Sequence, residues 1–73
     1  MKQNCIIVGS GGHYNSLNQI LNEKKNSAIY KISFILDDES KLKTKNNLKI
    51  KHSNSIDLVK FARKKYKIFV AIG

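Results

Sequence analysis

The sequence predicts an α/β fold: a small three-layer domain with a short parallel sheet, its elements in the order β-α-β-(β)-α-β. Three observations carry this. Apolar-rich stretches recur at residues 5–8, 29–36 and 68–72, and the continuous runs at 5–8 and 68–72 suit strands buried on both faces of a parallel sheet. Segments with apolar residues at helical spacing lie between them,. The first run empties directly into Gly9-Ser10-Gly11-Gly12-His13, a tight strand-to-helix turn.

Strand one spans residues 4–9, on Cys5, Ile6, Ile7 and Val8. The first helix covers residues 14–25, with Tyr14, Leu17, Ile20 and Leu21 inward and Asn15, Asn18, Asn22 and Lys25 towards water,. Asn26 and Ser27 end it. Strand two is residues 29–36, where Ile29, Tyr30, Ile32, Phe34 and Ile35 supply β-prone bulk,. Residues 37–47 are polar and charged and read as a solvent-exposed loop. Leu48, Ile50 and His52 make a short extended piece at a sheet edge. Asn54 reads as an N-cap with Asp57 three residues on, like a capping box,. The helix that follows runs to about Lys65 and buries Leu58, Phe61 and Ala62. Its basic end (Arg63, Lys64, Lys65) suits the helix dipole,. The last strand is residues 67–72, with Ile68, Phe69, Val70, Ala71 and Ile72. Right-handed crossovers set the three main strands parallel, with strand one between the other two.

A chain of 73 residues holds one thin-cored domain, here residues 1–73, with no repeat and no linker,. No stretch approaches the roughly 18–20 apolar residues of a membrane span, and the N-terminus lacks a signal-peptide layout. A cytoplasmic location is the expectation. The single Cys5 agrees with it and reads as a buried strand residue,. Fourteen Lys and Arg against 5 Asp and Glu give a net charge of +9, which raises a nucleic-acid partner. The lysines are scattered, however, and Arg63 is the one arginine, although Arg is the favoured bidentate reader of phosphate and guanine. A solvated basic surface fits better, so neither nucleic acid nor membrane is expected as a partner.

The glycine turn is the strongest chemical signal. A strand, a glycine turn and a helix N-terminus bring backbone N–H groups and the helix dipole to one point, which suits a phosphate. Gly9 and Gly11 match the first two glycines of the dinucleotide fingerprint, while Tyr14 stands where its third small residue would sit,. Asp37 and Asp38 follow strand two, where nucleotide-binding α/β domains place a carboxylate for ribose hydroxyls or a base N–H,. His13 stands at the mouth of the turn, placed to meet a phosphate or a sugar. His52 reads as a surface residue. Ser10 lacks the context of a nucleophile elbow, and no Cys/His cluster has metal-ligand spacing. The chain therefore reads as one that binds and does not catalyse, with no catalytic and no metal-binding residue assigned.

Three segments in register carry a resemblance: residues 6–13, residues 34–38 and residues 67–73. Together they resemble the N-terminal domain of the PglD/NeuD-type sugar acetyltransferases, a family of bacterial UDP-4-amino-sugar N-acetyltransferases and sialic acid O-acetyltransferases. The likeness spans nearly the whole chain and departs from the family at Tyr14. It implies a small Rossmann-like domain that holds a nucleotide-sugar, a UDP-sugar or a sialic acid derivative. Gly11, Gly12 and His13 would lie by the phosphates and sugar, Asp37 by the nucleoside, and Ala71, Ile72 and Gly73 at the adjoining strand end. Gly9, Ser10 and Asp38 complete the substrate-binding set, although Asp38 by itself reads as part of a solvated acidic turn. In such enzymes a left-handed β-helix domain follows, trimerises, binds acetyl-CoA and supplies the catalytic histidine. The chain stops at Gly73, directly after a buried-type strand, so it reads as truncated, without that domain, binding no cofactor itself and inactive alone. Two other readings stand beside it. One is the NAD-binding Rossmann domain of an oxidoreductase, which Tyr14 and the absence of a second half disfavour. The other is a fragment of glycosyltransferase subunits whose opening loop resembles Gly9-Ser10-Gly11-Gly12-His13.

Overall fold

The computed structural model describes residues 2–71 and has the element order β1 (Gln3–Val8), α1 (Gly12–Leu21), α2 (Lys24–Ser27), β2 (Tyr30–Leu36), β3 (Thr44–Lys45), β4 (Leu48–Lys51), a 3₁₀ turn (Ser53–Ser55), α3 (Leu58–Arg63) and β5 (Lys67–Val70). The strands form one sheet in the order β3-β4-β2-β1-β5. β1 pairs in parallel with both β2 and β5, so strand one does lie between the other two. β4 also runs parallel to β2, and β3 folds back antiparallel on β4.

Alternation along the strands builds the three layers. Ile7 and Ile35 face one side and form a core with Tyr14 and Leu21 of α1, backed by Leu17, Leu48, Ile50 and Phe69. Ile6, Phe34 and Leu36 face the other side and pack with Leu58, Phe61, Tyr66 and Ile68. Ile6, Ile7, Tyr14 and Ile35 are fully buried, as is Cys5. Burial pushes the Cys5 thiol above its ordinary pKa, which keeps it in its unreactive form.

The element boundaries depart from expectation at several points. The first helix starts earlier, at Gly12, and ends at Leu21. The polar residues 22–25 are exposed and give the helix nothing to bury, and it breaks at Asn22 and Glu23 before the single turn of α2. The Asn26 side chain donates to the Ile20 carbonyl at 2.9 Å and closes the break. Ile20 is 50% exposed, so the inward stripe is Tyr14, Leu17 and Leu21. β1 stops at Val8, because Gly9 turns away with φ 108°. β2 begins at Tyr30, leaving Ile29 half-exposed. The register between β1 and β2 slips by one residue between Cys5 and Ile6, so Ser33 bulges out.

Residues 37–47 are not loop throughout. Asn46 and Asn47 both adopt positive φ (53° and 64°) between the paired residues Lys45 and Leu48, the geometry of a two-residue type I′ hairpin. That hairpin makes β4 an inner strand, and His52 lies beyond its end. Asn54 is not the cap of α3 but the middle of the 3₁₀ turn. The half-buried Ile56 then extends the chain, and Asp57 caps α3 by accepting from the Lys60 amide at 3.2 Å. Within α3, Leu58 and Phe61 are half-buried but Ala62 is exposed. Val70 is 69% exposed rather than buried, while Ala71 beside it is buried. Ile72 and Gly73 lie outside the described residues.

Candidate functional site

Parallel pairing brings the C-terminal ends of β1, β2 and β5 to one edge, where open α/β sheets bind ligands. The Gly9 amide donates to the Leu36 carbonyl at 2.7 Å, the last cross-strand bond before the turn, and the Ala71 amide donates to the Val8 carbonyl at 2.7 Å on the other side.

Ser10 is gripped next. Its amide donates to Asp37 Oδ2 at 2.9 Å, and its hydroxyl donates to the same oxygen. Asp37 Oδ1 accepts from the Glu39 and Ser40 amides at 2.9 and 3.1 Å. Four donors thus converge on one carboxylate. They hold its pKa below the ordinary value, the Ser10 hydroxyl foremost, because each bond favours the ionised form,. Asp37 therefore acts on the glycine turn from within the fold, and its acceptor capacity is largely spent there.

Gly11 is the N-cap of α1, and its carbonyl accepts from the Asn15 amide at 3.3 Å. Among the described residues no side chain caps this helix, and its first turn carries no acidic residue. The amides of residues 12–14 have no intrahelical partner. A Cβ built at Gly11 or Gly12 meets nothing within 4 Å, so packing does not demand glycine there. The surface stays low, and a ligand can approach the backbone closely. His13 is exposed on the same turn.

Tyr14 is the residue that departs from the dinucleotide fingerprint. It is fully buried in the core beneath α1, with its hydroxyl donating to Asn46 Oδ1 at 3.0 Å. Desolvation pushes its phenol upward. Its ring occupies the room that a small residue would leave for close helix–strand contact.

Beside the turn lies a cavity of about 270 Å³. Val8, Gly9, Leu36 and Leu58 give it an apolar floor, and Asp37, Asp38, Glu39 and Ser53 line its polar side. Asp38 accepts from the Ser53 amide at 2.7 Å and the Ser53 hydroxyl at 2.6 Å, bonds that lower its pKa. His52 Nδ1 accepts from the Asn54 amide at 3.1 Å and sits 3.6 Å from Asp38 Oδ1. A second cavity, about 290 Å³, opens at the opposite end of the strands among Asn18, Asn22, Tyr30 and Leu48, and holds none of the predicted site residues. Among the described residues no group of three His, Cys, Asp or Glu side chains could hold a metal ion.

Of the residues the sequence singles out, Gly9, Asp37 and Asp38 meet at the cavity, Ser10 is joined to Asp37, and Gly11, Gly12 and His13 follow on the uncapped turn. Ala71 adjoins through Val8. Lys45, Asn46 and Ser53 were not foreseen. Asn46-Asn47 between short strand-like segments was the available signal for the first two, since Asn tolerates left-handed backbone.

A comparison with family models matches residues 4–73 to the PglD N-terminal domain. The chain belongs to that family. Neither the curated proteins nor the solved structures yield a match. In this PglD N-terminal domain the matched span includes the glycine turn, the Asp37-Asp38 pair and the β5 end. Among the described residues no helix is long and apolar enough to cross a membrane.

Proposed function

We propose that this PglD N-terminal domain binds the nucleotide-sugar substrate of a bacterial sugar O- or N-acetyltransferase. The observation that carries the reading is a juxtaposition: an uncapped, acid-free helix start lies beside an apolar-floored cavity rimmed by hydrogen-bond acceptors. The two halves suit the two ends of one ligand.

The diphosphate sits against the amides of Gly12, His13 and Tyr14, where unpaired N–H groups and the helix dipole favour negative charge. The base rests on Val8, Leu36 and Leu58. Asp38 and Glu39 present acceptors to ribose hydroxyls or a base N–H, and would repel a further phosphate. Asp37 contributes by shaping the turn through Ser10. His13 reaches towards the sugar, and Ala71 bounds it on the β5 side. The domain holds and orients; acetyl transfer from acetyl-CoA belongs to a trimeric β-helix partner domain in the family. No residue of this chain is assigned a catalytic role, and the cytoplasm is where such a substrate would meet it.

Thermal unfolding with a UDP-N-acetyl amino sugar and with NAD tests this. A ligand at about 100 times its Kd stabilises by about 2.7 kcal/mol, or an upward shift in Tm of at least several degrees for a small domain. The expected result is stabilisation by the UDP-sugar and none by NAD. Stabilisation by NAD alone would replace this reading with the oxidoreductase one.

A further inference from the structure

The glycine turn is intrinsically loose. Gly9 and Gly11 flank Ser10, and glycine gives the backbone on each side a wide range of conformations. The turn nevertheless has a defined shape, because Ser10 is held from two directions. Asp37 takes its amide and hydroxyl from one side. From the other, Lys45 Nζ donates to the Ser10 carbonyl at 2.6 Å.

Lys45 is delivered there by its own hairpin. The type I′ turn at Asn46 and Asn47 fixes Lys45 opposite Leu48. Asn46 takes the Tyr14 hydroxyl at 3.0 Å, tying the hairpin tip to the first turn of α1. The Lys45 ammonium lies 5.0 Å above the Tyr14 ring, an attractive cation–π arrangement. The side chain is thus fixed at both its charged end and its backbone, unlike a solvated surface lysine.

We propose that Lys45 is a positioning residue for the phosphate-binding turn, acting through the Ser10–Gly11 peptide. A trans peptide is planar, so its C=O and N–H point in opposite directions. Fixing the Ser10 carbonyl on Lys45 therefore fixes the direction of the Gly11 amide and the entry into α1. The inference rests on the nucleotide-sugar reading for its ligand, but not for its geometry.

The test uses the whole chain, 15N-labelled, with Lys45→Met and Lys45→Arg, and three probes: pyrophosphate, UDP and uridine. The expected result is that Lys45→Met moves the Gly11 and Gly12 amide resonances in the free protein. It weakens pyrophosphate and UDP by about tenfold, the loss that follows from one charge-assisted hydrogen bond, and leaves uridine unchanged. Lys45→Arg, which can still donate to the carbonyl, restores both the resonances and the affinity. Unmoved Gly11 and Gly12 resonances would overturn the proposal, since any lost affinity would then come from direct contact with the anion. Equal weakening of UDP and uridine would also overturn it, as a general loosening of the fold. If the parent chain binds pyrophosphate but neither UDP nor uridine, the nucleotide-sugar reading falls while Lys45 is still judged on pyrophosphate. If it binds no anion, both fall.

Discussion

Asp37 accepts four hydrogen bonds, three from backbone amides and one from the Ser10 hydroxyl. Hydrogen bonds to a charged group contribute a net of about 1.5–3 kcal/mol each. Asparagine keeps one acceptor oxygen but loses the charge, so Asp37→Asn is expected to cost about 2 kcal/mol at neutral pH. The native pKa is depressed. The stabilisation is therefore complete above the unfolded-state value of about 3.9 and is lost as pH falls through the lower folded-state value. Urea unfolding of the two proteins should differ at pH 7 and converge in strong acid; a gap that widens on acidification would contradict the assignment. Tyr14 gives a second test. Restoring the small residue of the fingerprint with Tyr14→Gly should cost about 3–5 kcal/mol, because a fully buried ring leaves a void,. A neutral outcome in the same unfolding experiment would mean that the ring is not what fills that space. The glycine turn and Asp37 were legible as residues. That Asp37 would spend its oxygens on Ser10 was not, because that contact depends on how two loops 27 positions apart meet.

At the scale of elements, the end of α3 is built against backbone preference. The Lys65 amide donates to the Ala62 carbonyl at 3.0 Å and the Tyr66 amide to Phe61 at 3.1 Å, a Schellman closure,. Tyr66 stacks edge-on against Phe61 with ring centroids 5.0 Å apart. Lys65 sits at the left-handed position of this motif, φ 66°, where glycine is the usual occupant. Lys65→Gly is expected to stabilise by about 1 kcal/mol, a rise in Tm of about 4–8 °C for a domain of this size; a fall would show that the left-handed conformation is not retained. β1, β2 and β5 were legible because they are rich in β-prone apolar residues, and boundaries were lost where polar residues gave no period to read. Residues 22–26 could extend the first helix or break from it; the chain breaks at Asn22 and Glu23, and the Asn26 bond to the Ile20 carbonyl closes that break. Asn54 read as the cap with Asp57 as its capping-box partner, but Asn54 lies in the 3₁₀ turn and the half-buried Ile56 extends the chain after it, which leaves Asp57 as the cap.

For the whole molecule, the sheet order β3-β4-β2-β1-β5 sets the parallel strand ends in one row and places a helix start and an apolar cavity side by side. The central part of that order follows from right-handed crossovers and was predictable. The β3–β4 hairpin was not, since its strands are short and its turn uses Asn-Asn in place of the stronger Asn-Gly signal. That hairpin is also what carries Lys45 to the site. Amide chemical-shift mapping during titration with a UDP-N-acetyl amino sugar addresses the central claim most directly. Saturable shifts at Gly11, Gly12 and His13 together with Val8, Leu36 and Ser53 are the predicted result. Shifts confined to Asn18, Asn22 and Tyr30 at the far cavity, or none at saturating ligand, would contradict it.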